Sequence, residues 1–363
     1  MRMNTIPAQV SDISTDWLNE VLDGRTGTIT GFTATRLGEG VGILGELARL
    51  DVSYADGHSG PATMIAKCQS AAPENRFLGQ VMGFYLREVN FYREVAGSLD
   101  IRVPEAYHVD CAPDGVPFVL LIEDIAESVC PNQSAGISAD DARRILAPVA
   151  RLHARFWGSP DLDDMAWLPP MNNVLYQGGQ AMALERFPAF AERFGGRIGA
   201  EMLTTIERAC NHYVDILHYV AGHGVNTFTH TDCRAENYLF GGSAGPDAVT
   251  MVDFQLCTRH FGPWDVANLI GGSMTPEVRR ACETELVENY HRDLESLGVS
   301  GYSLEQCWRE YRLSLLQMCT ASVIVSDLQG GNERGAELLE NLFLRPILAA
   351  TDHNVGELLA EFC

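Results

Sequence analysis

His230-Thr231-Asp232-Cys233-Arg234-Ala235-Glu236-Asn237, followed by Val252-Asp253-Phe254-Gln255, is the stretch on which the reading of this 363-residue chain turns. Asp232 and Asn237 stand five residues apart on one loop. A second aspartate follows a predicted hairpin made of Tyr238-Leu239-Phe240, a Gly/Ser/Pro turn through Asp247, and Ala248 to Asp253. Asp232 is placed to accept or orient a hydroxyl proton. Asn237 and Asp253 offer the hard oxygen ligands that Mg²⁺ prefers, with Asp253 as the charged one. Arg234, two residues after the first aspartate, is placed to stabilise negative charge as it develops. His230 reads as packing beneath the loop and not as a base.

Working back toward the N-terminus, one residue is singled out by composition. Of 26 basic side chains only Lys67 is lysine. A chain that uses arginine everywhere else has kept one compact ammonium at this position, which calls for a chemical reason. Ahead of it lies Gly38-Glu39-Gly40-Val41-Gly42-Ile43-Leu44-Gly45, a G-x-G-x-x-G match through Gly40, Gly42 and Gly45. A dinucleotide-binding fold needs a helix directly after such glycines. Here Ala48, Leu50, Val52 and Tyr54 alternate with Arg49, Asp51 and Ser53, which predicts a strand. Asp56-Gly57 turns the chain into a second strand, Thr63 to Cys68, holding Lys67. A glycine loop between strands is the arrangement that covers ATP phosphates, with a lysine on the next strand at the α- and β-phosphates. A helix is predicted from Glu74 to Ala96, with Leu78, Val81, Met82, Tyr85, Val89, Tyr92 and Val95 on its inner face and Arg87, Asn90 and Glu94 opposite. Glu88 falls inside the apolar arc, where a carboxylate needs a partner; Lys67 is the expected one.

The remainder divides into a strand-rich first third and a helix-rich rest. Ser14 or Thr15 caps a short helix with Trp17 and Leu18, and Pro117 to Ile122 reads as a buried strand. Ser138 and Asp141 form a capping box before a helix to Trp157 that contains Pro148. Further helices are predicted near 180–195, 198–222, 276–297, 303–327 and 333–349. The expected fold is α+β and two-lobed, protein-kinase-like, with a β-rich N-lobe over 1–125 and a helical C-lobe over 126–363.

These motifs resemble the aminoglycoside phosphotransferase and choline-kinase-like superfamily, especially its ecdysteroid-kinase-like branch and bacterial relatives. The resemblance runs from about Leu37 to about Gly272. It rests on Arg87-Glu88-Val89-Asn90-Phe91-Tyr92, Leu120 to Ile125, Leu152-His153-Ala154-Arg155-Phe156-Trp157, the loop at 230–237, Val252-Asp253-Phe254-Gln255 and Gly262-Pro263-Trp264-Asp265-Val266-Ala267. It implies an ATP- and Mg²⁺-dependent phosphotransferase acting on a small-molecule hydroxyl. It makes Glu123, Asp124 and Ile125 a hinge whose backbone meets adenine, and Asp265 a brace for the catalytic loop. The family's usual His-Gly-Asp is His-Thr-Asp here. Asp265 follows Asp253 by only twelve positions, which leaves no room for the long activation segment of a protein kinase.

The net charge of −22 opposes binding to nucleic acid or to anionic membranes. The N-terminus lacks a signal-peptide pattern, no apolar run is long enough to span a bilayer, and the ten cysteines show no metal or disulfide spacing. A cytoplasmic monomer or homodimer is expected. Acceptor choice is assigned to the helical part, including 159–196. Within that segment Phe187, Phe190 and Phe194 read as core, and Asp161, Asp163 and Asp164 as a solvated face. The alternative is a nucleotide-binding pseudokinase serving as a binding module, although every catalytic position holds a competent residue.

Overall fold

The computed structural model describes residues 5–37, 44–328 and 333–362, the side chains of 333–336 excepted. The chain forms two compact units, Met1–Val129 with Leu239–Leu256, and Cys130–Tyr238 with Cys257–Cys363.

The first unit opens with α1 (Thr15–Val21), capped by the Ser14 hydroxyl accepting from the Trp17 N–H at 3.1 Å. Five antiparallel strands follow: β1 (Ile29–Leu37), β2 (Gly45–Tyr54), β3 (Thr63–Gln69), β4 (Ala106–Cys111) and β5 (Phe118–Glu123), in the spatial order β1-β2-β3-β5-β4. Ala48 and Leu50, Met64, Ala66 and Cys68, and Val119 and Leu121 are alternate residues of β2, β3 and β5. They bury one face of the sheet with Trp17 and Leu18 of α1. Burying each larger side chain contributes roughly 1.5–3 kcal/mol, and a one-residue slip would turn the whole set outward. That register fixes Lys67, between Ala66 and Cys68, on the opposite face.

The helix predicted from Glu74 to Ala96 is not continuous. It is α2 (Pro73–Val81) and α3 (Phe84–Asn90), then a π-turn over Phe91–Val95 and a 3₁₀ turn over Ala96–Ser98. The break lies at Gly83, whose φ of +72° is a left-handed conformation that glycine takes without strain. Breaking the period there rotates α2 away from the predicted face, so Leu78 and Val81 are exposed. Arg87, predicted to face outward, is buried. Its Nη2 donates to the Met82 carbonyl at 2.7 Å and its guanidinium lies over the Phe84 ring.

After β6 (Ser128–Val129) the second unit begins with α4 (Ala139–Phe156), capped by Ser138 as predicted. Next come α5 (Asp161–Asp164), α6 (Val174–Gln177), α7 (Gly179–Ile198), α8 (Ala200–Asn211), α9 (Tyr213–Gly222) and β7 (Thr227–Thr229). The single helix predicted over 198–222 is therefore two, parted at His212, which has left helical geometry at φ −107° and ψ 17°. Phe190 and Phe194 are buried as core. Asp161 and Asp163 pair at the surface with Arg155 and Arg259.

The hairpin β8 (Tyr238–Gly241) and β9 (Val249–Met251) joins β6 in a three-stranded sheet, order β6-β8-β9. Its residues from Leu239 to Leu256 cluster with the first unit, whereas the sequence reading grouped everything after 125 together. The cause is local pairing: Ser128 faces Gly241, Val129 faces Phe240, and the Met251 N–H donates to the Arg102 carbonyl at 2.9 Å. The chain ends with β10 (Thr258–His260), α10 (Pro263–Ser273), α11 (Pro276–Ser296), α12 (Leu304–Ile324) and α13 (Glu333–Asp352), before a 3₁₀ segment. β10 pairs antiparallel with β7. Helices α10 and α12 are apolar on several sides and correspondingly buried, through Val266, Leu269 and Ile270, and through Leu313, Leu315, Leu316 and Val323. No described helix is long and apolar enough to cross a membrane.

Candidate active site

In the first unit, Lys67 is the centre of a three-residue charge cluster. Its Nζ lies 2.9 Å and 2.8 Å from the two carboxylate oxygens of Glu88, and 2.9 Å from Oδ1 of Asp253. Strand alternation directs the lysine, α3 carries the glutamate, and the chain leaving β9 delivers the aspartate. The Lys67–Glu88 partnership inferred from sequence is thus present, and Asp253 joins it from 186 residues away. Burial opposes the charged form of Lys67, but Asp253 and Glu88 outweigh it and its pKa is raised. Burial pushes Glu88 up to about 7 against the pull of Lys67, and Asp253 adds to the rise. Both directions follow from one ammonium shared by two carboxylates in a site sheltered from water.

Asp253 has φ +67°, and Gln255 Nε2 lies 3.4 Å from its Oδ2. The next residue, Phe254, stacks on Phe91 with ring centroids 3.6 Å apart, so the π-turn of α3's continuation secures the segment bearing Asp253. Gly45 lies alongside Lys67; a Cβ there would approach the Cys68 carbonyl to 3.2 Å and Lys67 Cε to 3.4 Å. Gly40 and Gly42 lie outside the described residues. At the expected hinge the side chains are already occupied. Arg102 and the Glu105 N–H bind Glu123, and Arg49 grips Asp124 bidentately at 2.6 and 3.0 Å. Ile125 is buried. Backbone groups of the segment are engaged too: the Asp124 carbonyl accepts from the Ala126 N–H at 2.8 Å and the Glu123 N–H donates to the Glu105 carbonyl at 2.8 Å.

In the second unit, β7 leads into the loop at 230–237 and Asp265 holds that loop from the first turn of α10. Its carboxylate accepts from the N–H groups of His230 at 2.7 Å and Thr231 at 2.8 Å. His153 Nε2 lies 3.1 Å from the same carboxylate and Nδ1 lies 2.8 Å from the Tyr290 hydroxyl. An acceptor-only carboxylate requires the proton on Nε2, so Nδ1 accepts from Tyr290. His230 is fully buried, as expected for a packing residue.

Asn237 Nδ2 donates to the Asp232 carbonyl at 2.7 Å and to Asp232 Oδ2 at 2.9 Å. Both partners are acceptors, which fixes the amide orientation and leaves Asn237 Oδ1 outside these two bonds. Arg234 Nε approaches Asp232 Oδ2 at 3.2 Å and its Nη1 approaches Glu236 at 2.8 Å. In this arrangement the guanidinium lies against the carboxylates of its own loop and orients Asp232. The donor chemistry fits Mg²⁺, which is bound by one or two protein oxygens together with phosphates. Among the described residues no group of three or more His, Cys, Asp and Glu is placed to hold a metal ion.

Several solved structures share this architecture at 11–14% sequence identity. A candidate aminoglycoside phosphotransferase from Ralstonia eutropha JMP134 superposes with a TM-score of 0.57 at 14% identity, over 94% of this chain and 97% of the other. The GDP complex of a point mutant of aminoglycoside 2′-phosphotransferase-IIIa gives 0.54 at 12%, over 93% and 97%. Choline kinase from Cryptosporidium parvum Iowa II gives 0.53 at 11%, over 95% and 97%. The fold is kinase-like. Residues 163–300 of this kinase-like chain also match the ecdysteroid kinase-like family, a span that holds the loop at 230–237, Asp253 and Asp265. No curated protein sequence matches.

Three supporting residues of the kinase-like loop escaped the sequence reading. The Ala235 N–H is shared by Gln133 Oε1 at 2.9 Å and Ser273 Oγ at 3.0 Å. Gln133 is itself tied to the Gly272 carbonyl, and Arg345 of α13 donates to the Gln133 and Ser134 carbonyls. Nothing in sequence spacing marks these contacts. The one available signal was a lone glutamine in a loop that turns out to be fully buried.

Proposed function

We propose that this chain is an ATP- and Mg²⁺-dependent phosphotransferase that phosphorylates a hydroxyl on a small molecule. The observation that carries the reading is Lys67 paired at once with Glu88 and Asp253. A buried cluster of this kind is expensive as mere scaffolding, and it has a purpose where a phosphate chain must be met by a fixed ammonium. In this reading Glu88 holds Lys67 so that its ammonium engages the α- and β-phosphates, and the backbone at 123–125 receives the base. Asp253 and Asn237 are the proposed Mg²⁺ ligands. The metal, when bound, neutralises phosphate charge. Asp232, its Oδ2 held by Asn237 and Arg234, takes the proton of the acceptor hydroxyl. The eleven residues between Asp253 and Asp265 hold a 3₁₀ turn (Phe254–Leu256), β10 and the start of α10. They leave no activation segment to seat a peptide, which favours a small acceptor.

The test is a metabolite-library screen with Mg-ATP, reading phosphorylated products by mass, for the wild type and Asp232→Asn. The variant is expected to fold and to bind Mg-ATP while losing transfer by about a hundredfold or more. Wild-type turnover in Asp232→Asn would remove the assignment.

A further inference from the structure

Thr231 occupies a conformation that its side chain disfavours. Its φ is +70°, in the left-handed region, where a β-branched residue is a true outlier. It immediately precedes Asp232 and stands where the resemblance places glycine. Such a conformation persists only where the surroundings over-determine it, and here they do. The Thr231 N–H donates to Asp265 at 2.8 Å and its carbonyl accepts from Trp264 Nε1 at 2.9 Å. Its hydroxyl lies 2.7 Å from the Thr258 hydroxyl and 3.1 Å from that of Thr229, which are themselves 3.1 Å apart.

Hydrogen counting shows how this triangle works. Thr229 Oγ1 is 3.0 Å from the Thr258 carbonyl, which can only accept, so Thr229 spends its proton there. Thr231 and Thr258 then supply the two protons left, and each can be satisfied by another member of the triangle. Thr229 and Thr258 are fully buried and face each other in the β7–β10 ladder. The Thr231 hydroxyl is therefore anchored to a sheet and not to another loop.

We propose that Thr231 is a positioning residue for Asp232, its hydroxyl supplying through the Thr229–Thr258 pair the hold that glycine would supply through conformational freedom. Relaxing φ to negative values would swing the 231–232 peptide. That motion would strip the Thr231 N–H from Asp265 and carry Asp232 away from Asn237 and Arg234. The proposal rests on the reading of Asp232 as the group that handles the acceptor hydroxyl.

Four single variants of the full chain, with the double valine variant, separate an anchor from mere strain. Thr231→Ser keeps the hydroxyl; Thr231→Val keeps shape and strain but loses the anchor; Thr231→Gly loses both; Thr258→Val cuts the anchor from its far end. Two readouts are taken on each: hydrogen exchange of the peptide spanning 230–237, and phosphate release from Mg-ATP with its KM. Thr231→Ser should match the wild type. Both valine variants should exchange about tenfold faster, as expected for a lost hydrogen bond. They should also turn over about a hundredfold more slowly, with KM for ATP within about twofold, because displacement of a reacting group lowers kcat. The double valine variant should be no worse than either single one. Thr231→Gly should fall between serine and valine. Protection and turnover in Thr231→Gly equal to or above the wild type would mean that the threonine only carries strain, and would overturn the proposal. So would a Thr231→Val variant indistinguishable from the wild type. A wild type that neither hydrolyses Mg-ATP nor yields a phosphorylated product in the metabolite screen would defeat the phosphotransferase reading instead, and the exchange data would still decide whether Thr231 anchors the loop.

Discussion

Removing one negative charge from beside Lys67 should expose this amine to chemistry that the native protein resists. Lys67 is 8% exposed and is bracketed by Glu88 and Asp253 at 2.8–2.9 Å. The two carboxylates overcome burial and hold its pKa above the ordinary lysine value, so the reactive neutral amine is scarce. Glu88→Gln and Asp253→Asn each delete one carboxylate with little change of shape, while the desolvation that favours the neutral amine remains. A close opposite charge is typically worth about 1–3 pKa units. At fixed pH near 8 each substitution should therefore speed Lys67 acylation by roughly ten- to a thousandfold. Because Lys67 is the one lysine in the sequence, intact-mass and peptide mapping with an amine-directed reagent can follow it against the α-amine as internal reference. Mg-ATP should in addition slow Lys67 and leave the α-amine unaffected. Equal Lys67 labelling rates in the wild type and both variants would show that the cluster does not control the ammonium.

Three other outcomes follow from the same contacts. By calorimetry, Mg²⁺ should improve ATP affinity in the wild type and in Asn237→Ala but not in Asp253→Ala, which lacks the charged ligand; equal Mg²⁺ dependence in both variants would place the metal elsewhere. His260 is fully buried, and burial holds its pKa down to about 4 against the Gln317 hydrogen bond, so the unfolded chain protonates first as pH falls. Stability from this residue is present above about pH 6.5 and is lost toward pH 4, on the order of 3 kcal/mol. Glu88, raised to about 7, acts in the opposite sense between its unfolded and folded values. The measurement is therefore the difference in urea stability between the wild type and His260→Phe, which should narrow as pH falls; parallel curves would refute it. Finally, a Cβ at Gly262 would come within 2.2 Å of the Tyr290 hydroxyl and 3.0 Å of His153 Nδ1. Gly262→Ala should cost about 1–3 kcal/mol in urea unfolding, and an unchanged midpoint would show that the Tyr290–His153 contact yields freely.

What the sequence made legible was chemistry carried by short spacings. Asp232 and Asn237 were readable because five residues on one loop suffice to bring them together. Lys67 and Glu88 were readable because strand alternation and helical period each point one way. Asp253 as a partner of Lys67 was not readable, since 186 residues separate them and only tertiary structure closes that distance. The break at Gly83 was missed because a single glycine within a strong apolar period does not announce its φ. Once it rotates α2, the inward prediction for Leu78 and Val81 fails, while Arg87 of α3 is buried by reaching back to the Met82 carbonyl beside the break. β7 and β10, three residues each, were too short to show alternation, and with them went the threonine cluster beneath Asp232.

The contact of Arg345 with the carbonyls of Gln133 and Ser134 has a consequence for biosynthesis. Gln133 holds the loop at 230–237 through Ala235, yet Arg345, which fastens the Gln133 backbone, is encoded 108 positions after Asn237. At about 5–20 residues per second a ribosome needs roughly 5–20 s to travel that far. Throughout that interval the emerging polypeptide carries its loop with Gln133 lacking the Arg345 contacts. A stalled or prematurely terminated message would release a product containing all the motif residues but lacking their last fastening, a natural substrate for quality-control proteases.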